Sequence, residues 1–320
     1  MSRRTKRALR FALGAACSTA GLILVLRGVD WPALGEALRR ARPGWLAAAV
    51  LAELLSILVN AVRWRSLYGP HHHPGVGRLF GILTVAQLGN TVLPGRPGLL
   101  LRVALAGGDG VSRATTVTTL AVEKVLEGAT LLLLGALLLL SLELPPEWRS
   151  SALIGALVML ALLAILAGGL RWRERWLGLG ARIGGEWLRR LTLELLDGLD
   201  VLRSTRAGWR LWAWSWVYWA VLAIVNWLVV GAMGLSVSPL AALVLLVVLQ
   251  FGVRVPSSPG NIGVFDYLGV ISLALLGVEK SPAVGTTLLL HLVLYLPPSL
   301  VGAVYLLWTG TGLRLKVQER

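Results

Sequence analysis

The sequence predicts an all-α polytopic membrane protein, with about six spans plus two re-entrant helical hairpins in an inverted repeat. Three observations carry that expectation. Apolar residues make up 56% of the 320 residues, charged residues only 15%, and the mean hydropathy is +0.73, too apolar for a soluble domain of this size. Six apolar runs are long enough to cross about 30 Å of hydrocarbon, which takes about 20 helical residues. Two further runs, 79–105 and 240–276, are broken in the middle by Pro-Gly clusters and resemble each other.

The chain opens on MSRRTKRALRFALGAACSTAGLILVL, a basic start before an apolar stretch with small residues. That pattern suits a signal peptide or a first span, and 9–26 is read as an uncleaved span. Cys17 is the sole cysteine, so no intramolecular disulfide can form, and Gly14 stands where a lipoprotein would carry leucine. Residues 31–42 form a short amphipathic segment and 45–62 the second span. His71-His72-His73 resembles a metal tract, but Pro70 and Pro74 flank it and it reads as a solvated loop; no metal and no cofactor is expected. The broken segment 79–105 and the spans 114–142 and 152–170 follow. In the linker 171–208, Trp172, Trp176, Leu179 and Ile183 recur at helical spacing among arginines, as in an amphipathic helix lying on anionic cytoplasmic lipid. Spans 209–232 and 283–308 enclose the second broken segment. Residues 1–320 thus read as a single integral membrane domain, with 45–142 as the first repeat and 209–308 as the second.

The net charge of +15 invites a nucleic-acid partner, but the basic residues sit in short loops beside spans. With the N-terminus inside, 22 of the 31 Lys and Arg residues fall in inward segments, six (Arg27, Arg39, Arg40, Arg42, Arg149 and Lys280) fall outside, and Arg96, Lys124 and Arg254 lie within apolar segments. This is the positive-inside bias of cytoplasmic loops. It points to both termini in the cytoplasm, in a bacterial plasma (inner) membrane, with no nucleic-acid partner.

The broken segments read LGNTVLPGRPGLLLRVAL and RVPSSPGNIGVFDYLGV. Pro94, Gly95 and Gly98 match Pro259, Gly260 and Gly263, and Gly110 matches Gly277, with an offset drifting only from 165 to 167 residues. Such an ordered set argues for duplication. Counting spans makes the first hairpin enter from the cytoplasm and the second from outside, the arrangement in which broken helices form a transported species' site near the midplane. Pro256, Pro259, Gly260 and Gly263 cannot remain a regular helix, and freed backbone groups survive in hydrocarbon only when screened by protein or facing water. Free N–H groups at half-helix ends favour an anionic guest such as a phosphate. A hairpin that only fills space is the plainer alternative.

Polar residues mark the same regions. Thr116, Thr119, Glu123, Glu127 and Thr130 recur every three or four residues and form one helical stripe that should face the protein interior, with Lys124 placed to pair with Glu127. Thr287, His291 and Tyr295 form a similar face that ends at Pro297-Pro298. Glu123, Glu127, Asp266, His291 and Tyr295 are the candidates for a polar path or proton coupling. Asn90, Arg96, Arg102, Arg254, Ser257, Ser258 and Asn261 are the candidates for holding a lipid headgroup, because guanidinium grips phosphate bidentately and the others offer neutral hydrogen bonds. Arg102 also suits a boundary residue snorkelling to headgroups.

The sequence carries no phosphate-binding P-loop, no zinc-ligand cluster and no nucleophile elbow, and no enzyme activity is expected. RWRSLY after the second span, Asn90 to Gly98, the Glu123 helix and Pro256 to Asp266 resemble the flippase-like membrane region of lysylphosphatidylglycerol synthetases and related membrane proteins, over about residues 10–310. The resemblance implies movement of lipids between leaflets, without the cytoplasmic aminoacylating domain of those synthetases. In that comparison Leu99 stands where a glutamate is usual, Asp266 replaces a glutamate, and His291 stands near a usual arginine. The expected function is therefore translocation of an anionic or phosphate-bearing lipid. Its partners are membrane lipids, with a lipid-modifying enzyme and a second copy of the chain as further candidates. The rivals are an enzyme or enzyme partner acting on polyprenyl-phosphate-linked sugars and a non-transporting lipid-binding scaffold.

The charge bias and the inverted repeat generate a topological prediction. Single cysteines at Thr205 and Ser238, in a Cys17→Ser background, are expected to react with an impermeant thiol reagent from the cytoplasmic and the outer side respectively. Reaction of both from one side would overturn the inverted arrangement.

Overall fold

Helix ends in this chain fall where capping chemistry puts them. The Asp30 carboxylate accepts a hydrogen bond from the Ala33 N–H at 3.0 Å, with Pro32 in the first turn. Ser238 does the same for Ala241 at 3.2 Å, ahead of Pro239. Each side chain satisfies one of the donors that the start of a helix leaves without an intrahelical acceptor. The computed structural model describes residues 18–68, 74–93, 95, 97–107, 113–141, 150, 153–161, 164, 205–236, 238–254 and 258–310. Among them the regular structure is entirely helical: α1 (18–26), α2 (Trp31–Arg39), α3 (Pro43–Arg65), α4 (Val76–Val92), α5 (Gly98–Ala106), α6 (Arg113–Ser141), α7 (153–161), α8 (Thr205–Ala232), α9 (Pro239–Gly252), a 3₁₀ turn (Pro259–Asn261), α10 (Val264–Leu275) and α11 (Lys280–Thr309).

Among the described residues four helices are long and apolar enough to cross a membrane: Pro43–Arg65, Thr115–Ser141, Gly208–Ala232 and Lys280–Thr309. They coincide with four of the predicted spans. The predicted spans 9–26 and 152–170 are described in part, as α1 and α7, while residues 171–204 of the linker and the histidine tract lie outside the described residues. The protein is an all-α integral membrane protein.

The chain divides into two compact units. The first comprises Met1–Ala61, Val76–Leu105 and Tyr218–Arg320. In it α4 and α5 fold back on each other: Arg78 donates to the Leu105 carbonyl at 3.2 Å, and at the other end the Gly98 N–H donates to Asn90 Oδ1 at 2.8 Å. α10 packs against α9 and against α11. The apolar core joins Val25, Leu34, Ala49, Val225, Leu245, Phe265, Leu273 and Leu290, drawn from seven helices. The start of α3 meets the end of α8, with Trp45 edge-on to Trp227 at 5.8 Å and the Arg42 N–H donating to the Ala232 carbonyl at 2.8 Å. The second unit comprises Val62–Gly75 and Ala106–Val217 and contains α6, α7 and the last residues of α3.

Amphipathicity is inverted relative to a soluble helix, as lipid requires. On α3 the exposed side carries Leu51, Leu55 and Leu58, while Glu53, Ser56 and Arg63 are buried. On α11 Leu288, Leu292, Leu296 and Leu300 are exposed and Thr287, Tyr295 and Ser299 are buried.

α11 runs through Pro297-Pro298 to Thr309, in line with the expected span 283–308, and its buried polar face continues past the prolines to Ser299. Proline at these positions removes the N–H groups that would reach the carbonyls of Val293 and Leu294. Tight packing on α4 accompanies the continuation. Gly302 lies directly against the Thr84 carbonyl and Gly81 lies under the Tyr305 ring, the small-residue contact through which membrane helices approach closely.

That contact generates a prediction. A Cβ at Gly302 would collide with α4 backbone, which cannot swing aside as a side chain would. Gly302→Leu is expected to destabilise the protein by about 1–3 kcal/mol or more, read as a lower unfolding midpoint in detergent, whereas Leu300→Ala on the exposed face should change it little.

Candidate functional site

The second break is a turn with three consecutive demands on its backbone. Gly260 (φ 68°), Asn261 (φ 61°) and Gly263 (φ 89°) all lie in the left-handed region, which glycine enters freely and asparagine more readily than most residues. The side chains of α10 and α11 hold this turn. Asp266 Oδ2 accepts from the Gly263 N–H at 2.9 Å, and Oδ1 of the same carboxylate lies 3.1 Å from His291 Nδ1. Asn261 Nδ2 donates to the Tyr295 hydroxyl at 2.6 Å. His291 and Tyr295, one helical turn apart, stack with ring centroids 4.5 Å apart, and Phe265 packs edge-on against both. Of these groups His291 keeps the most exposure, 16% of its side chain, against 4% for Asp266.

α1 closes the other side. The Ser258 N–H donates to Ser18 Oγ at 2.8 Å, and Gly21 and Gly263 approach so nearly that a Cβ on either would strike the other segment's backbone. Ser258 Oγ donates to the Ile262 carbonyl at 3.0 Å.

The first break meets the second. The nearest atom to a Cβ built on Gly260 is the Thr91 carbonyl oxygen, at 3.7 Å, and Ser299 donates to Thr91 Oγ1 at 3.2 Å. Within this unit the tips of the two broken segments therefore lie side by side. Asn90 spends its carbonyl oxygen on Gly98, Gly95 is exposed with φ 83°, and Arg102 is buried on α5. Arg254 is exposed at the end of α9, and none of the hydrogen bonds just described reaches it. Pro94, Arg96, Pro256 and Ser257 lie outside the described residues.

Glu123 and Glu127 belong to a separate cluster in the second unit. Arg63 reaches Glu127 at 2.8 Å and Glu123 at 3.4 Å, and Lys124 reaches Glu127 at 2.6 Å. The Trp64 indole N–H donates to Thr119 Oγ1 at 3.1 Å, Thr119 donates to the Thr116 carbonyl at 2.8 Å, and Tyr68 packs on Trp64. Each carboxylate thus has a cation within 3.4 Å. Sequence reasoning placed Lys124 against Glu127 but counted Arg63 among the cytoplasmic loop charges. Arg63 is instead inside α3 and fully buried, because two buried carboxylates on α6 hold it where a boundary arginine would otherwise extend to headgroups. Arg102, also counted with the loops, is likewise buried. The missed signal was helical spacing: Glu53, Ser56, Asn60 and Arg63 continue one polar face along an otherwise apolar span.

The model of the lysylphosphatidylglycerol synthase TM region family matches residues 8–302 of this chain. A search of curated proteins finds no match.

Removing Arg63 would take from Glu123 and Glu127 a buried cation that both contact. Arg63→Met is expected to cost about 3–5 kcal/mol of stability, the usual penalty for breaking a buried pair from one side. The double variant Arg63→Met/Glu123→Met should recover part of that loss. Equal midpoints for wild type and Arg63→Met in chemical denaturation would show that the pair contributes nothing.

Proposed function

The chain belongs to the lysylphosphatidylglycerol synthase TM region family, a membrane domain of a lipid-related enzyme type, and from that membership we propose that it moves a lipid between leaflets, in the manner of a flippase or scramblase. The observation that carries the proposal is the meeting of two helix breaks inside one compact unit, with Gly260 against Thr91 and the polar set Asn261, Asp266, His291 and Tyr295 beside them. Backbone of this kind is tolerated at membrane depth where it lines a cavity or a binding site.

In this reading the segments around α4–α5 and α9–α10 are re-entrant hairpins of an inverted repeat, entering from opposite faces of a bacterial inner membrane with about six spans around them. The substrate is a lipid with an anionic or phosphate-bearing headgroup, its acyl tails remaining in the bilayer. Arg96, Arg102 and Arg254 supply positive charge, and Asn90, Ser257, Ser258 and Asn261 supply neutral hydrogen bonds. Asp266, His291 and Tyr295 form the polar wall of the path. Glu123 and Glu127, already neutralised by Arg63 and Lys124, organise α6. The chain acts without catalysis of its own and without a cofactor.

Vesicles containing the purified protein and fluorescent lipids provide the test. Wild type is expected to speed exchange of anionic lipids between leaflets over protein-free vesicles. Arg254→Gln, a variant of an exposed side chain, should slow anionic lipids several-fold while leaving zwitterionic ones nearly unchanged. Gly260→Leu should slow all lipids, since a leucine at φ 68° is strained by about 1–3 kcal/mol and crowds the meeting point with Thr91. Both variants are compared at equal folded yield. No acceleration by wild-type protein, combined with headgroup transfer on a polyprenyl-phosphate-linked sugar, would replace translocation with the enzymatic reading.

A further inference from the structure

Three of the membrane-spanning helices begin or end together. α3 starts at Pro43, α8 ends at Ala232 and α11 starts at Lys280. The Arg42 N–H donates to the Ala232 carbonyl at 2.8 Å, and the Lys280 ammonium donates to the carbonyls of Leu24 and Arg27, which close α1. Trp45, the third residue of α3, touches Trp227, five residues before the end of α8, and tryptophans gather in this way at a membrane–water boundary. Met233 and both leucines of α2, Leu34 and Leu38, close on Gly285, the sixth residue of α11. α2 therefore lies at the edge of the hydrocarbon, beside the start of a span.

This level carries five cations, Arg27, Arg39, Arg40, Arg42 and Lys280, and three acids, Asp30, Glu36 and Glu279. Two of the acids are engaged: Asp30 caps α2 through the Ala33 N–H, and Glu36 holds Arg40 at 2.8 Å. Lys280 serves the end of α1. Arg27, Arg39 and Arg42 are exposed, and among the described residues no side-chain hydrogen bond or ion pair reaches them. Of the acids only Glu279, which makes no capping bond, is left to oppose these three guanidinium groups.

The apolar side of α2 is not wholly covered by α11. Trp31 is 59% exposed, and Gly35 has open space where a Cβ would stand. Trp31, Gly35 and Arg39 follow at four-residue steps and form one strip along the helix, with an exposed indole at one end and an uncommitted guanidinium at the other. At the level where spans end, a lipid surface fits both: its glycerol and upper acyl region takes the indole, and its phosphates take the arginines.

We propose that α2 and the turn that follows it dock an anionic phospholipid of the leaflet on which they lie. Arg39 and Arg42 hold the headgroup phosphate, Gly35 leaves room for it over the helix, and Trp31 sets the helix in the boundary layer. Guanidinium donates to phosphate oxygens in pairs, and each cation close to an anionic surface strengthens attachment about five-fold. The site shares no residue with the meeting of the two helix breaks and does not require that a lipid cross the membrane.

The full chain in lipid nanodiscs provides the test, with a nitroxide attached through Gly35→Cys in a Cys17→Ser background. In phosphatidylcholine the label should move freely. Adding phosphatidylglycerol should slow it, and high salt should restore its motion. The phosphatidylglycerol fraction at half response should rise about five-fold in Arg39→Gln or in Arg42→Gln. The response should vanish in the double variant, while Arg65→Gln, at the other end of α3, should keep it. All three arginines are exposed, and an unfolding midpoint equal to that of wild type is the check on folding. A spectrum indifferent to phosphatidylglycerol, or an equal response in the double variant, would overturn the proposal. So would a label as open to an aqueous nickel chelate as one free in solution, which would turn this strip toward water. Spin–spin broadening that disappears on mixing with unlabelled protein would put a second copy of the chain on this face and overturn it as well. Should the label itself disturb α2, phosphatidylglycerol bearing a photoreactive headgroup replaces it. Wild type should then carry the adduct between Trp31 and Arg42 and the double variant should not; no adduct there, or the same adduct in both, sinks the site. Vesicles in which wild type moves no lipid would remove the translocation reading and leave this site to the nitroxide result.

Discussion

Inside the roughly 30 Å of hydrocarbon, a backbone N–H, a carbonyl or a charge finds partners only within the protein. This constraint decides where a helix of this chain is able to break. The second turn interrupts helix between α9 and α10 and exposes donors that no preceding helical carbonyl satisfies. Asp266 answers one, by accepting from Gly263, and Ser18 of α1 answers another, by accepting from Ser258. The first break uses Asn90 in the same way, with its amide oxygen taking the Gly98 N–H. In each case the residue that permits the break and the residue that closes it lie within eight positions in sequence or on a helix packed against the turn. The breaks are built features with dedicated side chains, and their stability is local.

The same constraint separates the two polar clusters by the job each is able to do. Around Arg63 opposite charges are paired, and the shortest contacts are 2.6 and 2.8 Å. Such a cluster recovers, through mutual attraction, the desolvation its members suffer; its net contribution to stability is small while the loss of any one member is expensive. It fixes the register of α6 against the end of α3. Around Asp266 the arrangement is different, because one carboxylate oxygen meets the His291 ring on α11 while the other holds the turn. A change at His291 is therefore felt by the backbone at Gly263, whereas a change at Lys124 is felt at Glu127 and, through it, at Arg63.

The helices and their breaks were legible in the sequence because both signals are strong: long apolar runs have one reading in membrane solvent, and Pro-Gly pairs inside them have one consequence. The polar face of α6 was legible for a similar reason, since Thr116, Thr119, Glu123, Glu127 and Thr130 keep helical spacing against an apolar background. Arg63 was not, because an arginine at the end of a span is ordinarily a boundary residue, and composition does not distinguish one that turns inward. Glu53 was missed as a single acid in a span that otherwise met every criterion of length and hydropathy. Only its alignment with Ser56, Asn60 and Arg63 marks it, and that face becomes meaningful once Arg63 is known to be buried. Pro297-Pro298 did not interrupt the expected span 283–308, because the apolar run continues on both sides, and α4 packs along α11 through Gly81 and Gly302 near the prolines.

Although the breaks match in sequence, their fastening differs. At the first, the described hydrogen bonds that tie α4 to α5 are one at the tip, Asn90 to Gly98, and one at the base, Arg78 to Leu105, both internal to the helix pair. At the second, Asp266 and Asn261 reach His291 and Tyr295, one turn apart on α11, while Ser258 is held by α1. Two points of attachment on one helix fix the orientation of the turn, and a third from the opposite side fixes its depth. The second turn is thus a platform set by its neighbours. The first break is anchored to the same helix, because Ser299 of α11 donates to Thr91 at its tip and Gly302 of α11 lies against the Thr84 backbone. Where the two breaks touch, at Thr91 and Gly260, α11 therefore supports both sides of the contact, and a change along its face from His291 to Ser299 is felt by both turns.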